Sequence, residues 1–257
     1  MTMTVQQVFD FINTRAPYEM QDPYDNSGLL VGDPAADVHG VHFAMDLTQR
    51  VVDEAIAAGA DLIVTHHPIM FSPIKRLLAT DYESRLIMQL VRNGIAMISA
   101  HTNLDKADGG IDDVLAERIG LSNITGEDYV RIGDLPHPMS AEELTVHVSR
   151  ALNTVVRPMG IGENITRVAV CSGAGGSEWP VAHGWGAQAF VSGEIKHHDA
   201  LAAVDAGLFC LEAGHHATEE PGIFALADAL QNELNAVQCN VHVSKSQAGA
   251  YAMPGRP

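Results

Sequence analysis

The stretch Asp61-Leu62-Ile63-Val64-Thr65-His66-His67-Pro68 decides the reading of this chain. A short apolar run of this kind is a buried strand. Pro68 lacks an amide proton, so the strand cannot simply continue past the two histidines. Imidazoles on successive residues point in divergent directions and rarely serve one ion from a strand interior. At a strand end, where the backbone turns, each can reach a different metal, and imidazole suits zinc, iron, nickel or copper. Taken alone, the pair reads equally well as two surface histidines.

The surrounding sequence alternates strands and helices. Val5 to Thr14 is an amphipathic helix with Val5, Val8, Phe9 and Ile12 on one face. Tyr24-Asp25-Asn26-Ser27-Gly28 is a polar turn made of turn-forming residues, leading into a short strand. Strands follow at Val41–Met45 and Ile95–Ala100, and helices at Leu47–Ala58, Asp81–Arg92 and Ile111–Ile119, several stopped by glycine. Residues 121–163 are less regular and read as an insertion or connecting segment with one helix, Ala141–Leu152. Ile165–Cys171 is a strand ending in Ser172-Gly173-Ala174-Gly175-Gly176. That cluster fits neither the dinucleotide nor the P-loop spacing and is expected to be a tight turn. Further strands are expected at Gln188–Val191, Leu208–Ala213 and Val237–Val243. Pro221, tolerated in a first turn, would put Glu219 near the start of a helix running to Leu234. Pro254–Pro257 is expected to fray.

The two parts of the chain match in order. Each reads strand, helix, strand, His-His, helix, strand, then His-x-x-x-carboxylate and a helix. The motifs are His66-His67 and His101-x-x-x-Asp105 in the first, His197-His198 and His215-x-x-x-Glu219 in the second. The expected fold is α/β, with two similar halves from an internal duplication, 1–125 and 126–257. Ligands of α/β sheets gather outside the carboxyl ends of strands, so a metal site is expected between the halves at those ends.

Composition narrows the function. Fifteen basic against thirty-two acidic residues give a net charge of −17, which repels phosphate backbones and argues against nucleic-acid binding. A small anionic substrate is compatible if metal ions supply local positive charge. No apolar run approaches the ~18 residues of a membrane span, and the N-terminal residues lack a signal-peptide pattern. Cys171, Cys210 and Cys239 have no metal-type spacing and read as buried thiols of a cytoplasmic protein.

His66, His67, Asp105, His215 and Glu219 are the candidate ligands. Three neutral nitrogens and two carboxylates suit two divalent ions about 3.5–4 Å apart, with zinc, iron, manganese or nickel as candidates. So few ligands leave positions open, as in catalytic sites, where a metal activates water. His101 reads as an acid/base or supporting residue, or equally as a histidine bonded to backbone. Lys75, Arg76 and Lys196 lie near the motifs but read first as solvated surface residues.

Tyr24-Asp25-Asn26-Ser27-Gly28-Leu29, Thr65-His66-His67-Pro68, His101-Thr102-Asn103-Leu104-Asp105, Gly193-Glu194-Ile195-Lys196-His197-His198 and Gly214-His215-His216-Ala217-Thr218-Glu219 resemble the Nif-three-like family, the GTP cyclohydrolase 1 type 2 homologues. The resemblance runs from Tyr24 to about Leu234. It implies a dinuclear metal centre with the same five ligands and a ring-shaped hexamer with its sites facing an inner cavity. Larger members carry an extra domain that residues 121–163 are too short to supply. The resulting expectation is a metal-dependent hydrolase acting on a nucleotide-like small molecule. The alternative is a non-catalytic metal-binding or adaptor protein.

Overall fold

The computed structural model describes residues 2–249. The chain forms two compact units, one running to Ala107 and resuming at Ile223, the other from Asp108 to Gly222.

The first unit opens with β1 (Met3–Thr4) and α1 (Val5–Arg15). Thr4 and Gln7 form a reciprocal capping box that satisfies two amide donors of the first turn. Losing such a cap costs about 1 kcal/mol. The buried stripe of α1 is Val5, Val8, Phe11 and Ile12. Phe9, expected on that stripe, is only partly buried and stacks on Tyr18 at 4.4 Å. Next come β2 (Gly28–Val31), β3 (Asp37–Val38), β4 (Gly40–Ala44), α2 (Gln49–Ala57), β5 (Leu62–Thr65), α3 (Tyr82–Asn93), β6 (Ala96–Ser99) and α4 (Thr102–Lys106). β4, β5 and β6 pair in parallel, with Val41 opposite Leu62 and Leu62 opposite Ala96. β2 adds to β6 antiparallel. Every residue of β4, β5 and β6 is buried, as in parallel sheets covered on both faces. Val51, Val52, Leu86 and Leu90 of the helices pack on Ile63 and Met97.

The second unit contains α5 (Ile111–Arg118), β7 (Ser122–Glu127), β8 (Val130–Met139), α6 (Ala141–Leu152), β9 (Arg157–Met159), β10 (Ile165–Cys171), α7 (Trp179–Gly184), β11 (Ala189–Ser192), α8 (His197–Asp205) and β12 (Phe209–Glu212). β10, β11 and β12 are parallel, and the full order is β7-β8-β10-β11-β12-β9. Residues 121–163 are therefore not a connecting insertion: they supply three strands and a helix of this unit. The prolines concealed β8. Its pairs with β7 stop at Asp134, and its register with β10 shifts between Arg167 and Ile165, which face Asp134 and Met139. Pro136 and Pro138 fall in that gap, where a missing amide proton breaks no ladder bond.

α9 (His215–Ala236) is longer than expected and starts four residues before Glu219. Pro221 lies inside it. Ile223, Leu226, Ala227, Leu230 and Leu234 are buried, and packing of such a face outweighs one lost helical bond. The division between the units falls within this helix. The last strand, β13 (His242–Lys245), begins later than expected because the chain turns at Val237 and Gln238 where the helix ends. β13 pairs parallel to β4, with His242 opposite Gly40. This pairing returns the C-terminal part to the first unit, so the division differs from the halves 1–125 and 126–257. Pro254–Pro257 lies outside the described residues. Both units centre on strand–helix–strand–helix–strand, β4-α2-β5-α3-β6 and β10-α7-β11-α8-β12. Among the described residues no helix is long and apolar enough to cross a membrane.

Candidate metal centre

In the first unit the chemistry gathers where β5 and β6 end. The Thr65 hydroxyl donates to the His67 carbonyl (2.8 Å) and the Ser99 hydroxyl to the His66 carbonyl (2.7 Å), fixing the turn that separates the two imidazoles. The His66 ring is buried, and its Nδ1–H donates to the Ala100 carbonyl at 2.8 Å. A carbonyl can only accept, so the neutral ring carries its lone pair on Nε2. That Nε2 lies 3.4 Å from Asp105 Oδ1. His67 Nδ1 is 2.7 Å from Asp46 Oδ1, and His101 Nδ1 is 2.8 Å from Asp25 Oδ1. One ligand nitrogen from each of His66, His67 and His101 lies within 4.8 Å of the others.

Asp25 organises this corner. Its Oδ1 accepts from His101 Nδ1 and the Asn26 amide, and its Oδ2 from the Ser27 hydroxyl and from the Thr102 amide and hydroxyl. Burial pushes this carboxyl up, but the bonds from His101 and Thr102 outweigh it and hold Asp25 well below the usual carboxylate range. The residue is more than the turn former its sequence suggested. Asn103 completes the corner: its Oδ1 accepts from the His101 amide (3.0 Å) and its Nδ2 donates to Ala16 O (2.7 Å). His101 is thus bonded through its ring to a carboxylate rather than to backbone.

In the second unit the chemistry gathers where β11 and β12 end. His215 and Glu219 occupy successive turns of α9, with His215 Nε2 3.1 Å from Glu219 Oε2. His215 Nδ1 lies 2.9 Å from Glu194 Oε1. Glu219 is buried against Gly173, whose φ is +53°, and a Cβ there would stand 2.0 Å from Glu219 Oε1. The Ser172–Gly176 turn is therefore shaped around a carboxylate. The Gly173 amide donates to Thr218 Oγ1 at 3.0 Å. Behind it, buried Asp112 accepts from the Ser172 amide at 2.6 Å. Burial pushes the Asp112 carboxyl up to about 8, and the charge of Glu219 adds to the rise, against bonds from Ser172 and the charge of Arg131.

His197 and His198, the pair expected to match His66-His67, are exposed at the start of α8, five residues past the end of β11, and His198 lies 3.5 Å from Asp199. Lys75, Arg76 and Lys196 are exposed. Motif reading did not single out Asp46 and Glu194 as orienting groups. Their available signal was a carboxylate at the end of β4 and of β11.

These residues fit a divalent ion. Each of His66, His67, His101 and His215 sets Nδ1 against an oxygen acceptor, which leaves the lone pair of the neutral ring on Nε2, where His66, His67 and His215 could offer it to a metal. Such carboxylate or carbonyl partners fix the tautomer of metal-bound histidines. A lone pair set 3.1–3.4 Å from a carboxylate oxygen, as at His215–Glu219 and His66–Asp105, is repulsive unless a proton or a cation is shared.

The fold and these side chains define an α/β protein with imidazole and carboxylate groups at strand ends that can hold metal. The chain belongs to the Duf34/NIF3 (NGG1p interacting factor 3) family, whose model matches residues 3–249, as its motifs led us to expect. It is 32% identical to a Streptomyces coelicolor protein named GTP cyclohydrolase 1 type 2 homolog, over 94% of this chain and 91% of that one. A Bacillus cereus protein related to NIF3 shares the fold at a TM-score of 0.92 and 22% identity, covering 99% of both chains. A Staphylococcus aureus hypothetical protein gives 0.91 and 27%, covering 100% of both.

Proposed function

We propose that this chain is a metal-dependent hydrolase of a nucleotide-like small molecule, with His66, His67, Asp105, His215 and Glu219 holding two divalent ions. The observation that carries this reading is the shared orientation of the imidazoles, each set by an oxygen acceptor on Nδ1. Zinc, iron, manganese and nickel all suit such a donor set. When bound, the ions would supply Lewis acidity and an activated water. The name GTP cyclohydrolase 1 type 2 homolog, carried by relatives such as the Streptomyces protein, makes GTP the first substrate to test.

His101 supplies the proton chemistry. Asp25 fixes its ring through Nδ1, so Nε2 is the atom that takes or gives a proton. The surplus of acidic groups repels anions elsewhere on the surface and leaves the metal-bearing site as their point of attraction.

The test is metal analysis of protein purified without added metal, followed by incubation of the metal-loaded chain with GTP. Formate and a ring-opened triphosphate are the expected products. His101→Ala should slow turnover with metal retained, whereas Asp105→Ala should remove both. If GTP and a broad panel of nucleotides and phosphoesters stay intact at full metal occupancy, the hydrolase reading fails in favour of a metal-binding adaptor. The assembly proposed with it is a hexameric ring. Light scattering at micromolar concentration should give a mass well above the 27.5 kDa of one chain, and a clean monomer would count against the ring. A cytoplasmic location is the matching proposal, tested by fractionation of the source cells.

A further inference from the structure

Two aromatic rings stand at the solvent edge of the first unit's histidine cluster. Phe71 is 50% exposed and Tyr24 63% exposed. Their centroids are 6.2 Å apart and their planes tilted by 54°. Phe71 also meets His101 edge to face, at 6.1 Å and 81°. Both rings are tied to the site's own framework. Tyr24 immediately precedes Asp25, which holds His101. Phe71 follows Met70, whose carbonyl accepts a 2.6 Å bond from Asn26 Nδ2. Aromatic residues are only 5% of this chain, and leaving two rings largely in water forgoes the burial such side chains usually supply.

Charge gives a second, independent indication. The chain carries −17 overall, yet residues 62–80 contain no acidic residue and include Lys75 and Arg76, both exposed. An aromatic pair, one ring of which is followed in its own segment by basic residues, matches a ligand with a flat ring and a phosphate. Arginine and lysine suit the phosphate, and every nucleobase has a π-face on which an aromatic side chain can stack.

We infer that Phe71 and Tyr24 form the ring-stacking wall of the site, taking the nucleobase of a phosphate-bearing ligand beside His101. The inference deepens the proposed hydrolase reading and rests on it for the site's location. A ring stacked on Phe71 lies next to the imidazole assigned the proton transfer. Phe71 and Tyr24 are thereby specificity-determining residues. The competing occupant is a second copy of this chain, because Leu77, Leu78 and Tyr82 nearby are exposed as well.

Calorimetric titration of the metal-loaded full chain with GMP, AMP and UMP, and separately with ribose 5-phosphate, tests the wall. Ribose 5-phosphate keeps the sugar and phosphate but lacks the base. At least one nucleotide should bind, and ribose 5-phosphate should bind at least about tenfold more weakly, the scale of one lost stacking contact. Phe71→Ala should weaken the nucleotide by about tenfold and Phe71→Trp should restore it, with metal content and light-scattering mass unchanged. Tyr24→Leu should give a smaller loss. The inference is overturned if no nucleotide binds, if ribose 5-phosphate binds equally well, or if Phe71→Ala leaves affinity unchanged. A fall in mass for Phe71→Ala would assign the rings to an interface between copies and overturn it too. Because the readout is binding, the two readings fail separately. Nucleotide binding without turnover keeps the wall and removes the hydrolase, whereas turnover of a non-aromatic phosphoester does the reverse.

Discussion

The strand ends of the two units occupy matching positions but carry different chemistry. In the first, β5 and β6 deliver three imidazoles and one carboxylate; in the second, β11 and β12 lead to one imidazole and two carboxylates, Glu194 and Glu219. The means of orientation differ as well. His66 is buried and held by a backbone carbonyl, a fixed acceptor. His215 is partly exposed and held by the side chain of Glu194, itself mostly in solvent. Asp25, with five donors around it, locks His101. The first unit therefore offers a preformed nitrogen-rich set, and the second a carboxylate-rich set whose imidazole is less tightly fixed. The same arrangement of strands can position either kind of donor, because what reaches the strand end is set by the residue there and by its partner.

The largest effect that would sharpen this contrast is loss of a carboxylate proposed as a ligand. Asp105→Ala and Glu219→Ala are each expected to strip most bound metal, read by elemental analysis of the purified chain. Full metal retained in either variant would remove that carboxylate from the proposed ligand set. Next is Gly173→Ala. Its Cβ would occupy the space of Glu219 Oε1, and its φ of +53° strains any side chain. The expected cost is about 1–3 kcal/mol in chemical denaturation, with weakened metal binding. An unchanged denaturation midpoint would show that Glu219 moves aside freely.

The orienting acids should give smaller losses. Asp46→Asn and Glu194→Gln are expected to weaken metal binding by up to about 10–100-fold. Asp46 should show the larger effect because it is the less exposed of the two. Competition with a chelator measures both, and a larger effect at Glu194 would reverse the contrast in rigidity. A further expected effect is a pH dependence. Asp112 is pushed up to about 8 in the fold, against about 3.9 in an unfolded chain. The folded state thus binds the extra proton across that window, and stability falls as pH rises from about 4 to about 8. Asp112→Asn keeps the acceptor for the Ser172 amide and should flatten this slope in thermal melts. An unchanged slope would show that Asp112 ionises normally.

What the sequence alone determined is local. The apolar runs of β4, β5, β6, β10, β11 and β12 and the glycine stops made the alternating α/β pattern visible. The histidines and carboxylates at strand ends were visible for the same reason: an apolar run that ends in an imidazole announces itself within a few residues. Tertiary structure decided what depends on distant partners. Asp25 reads as a turn until its bond to His101, 76 positions away, is seen. Asp46 and Glu194 each orient a histidine 21 positions away. β8 was hidden because its prolines sit where the ladder shifts register, a fact fixed by β10 rather than by β8 itself. β13 joins β4 across some two hundred residues and so redraws the division of the chain. Periodicity reports the environment of one element, whereas hydrogen-bond partners and sheet neighbours are properties of two. That is why the histidines and carboxylates at strand ends were legible in the sequence and the groups that orient them were not.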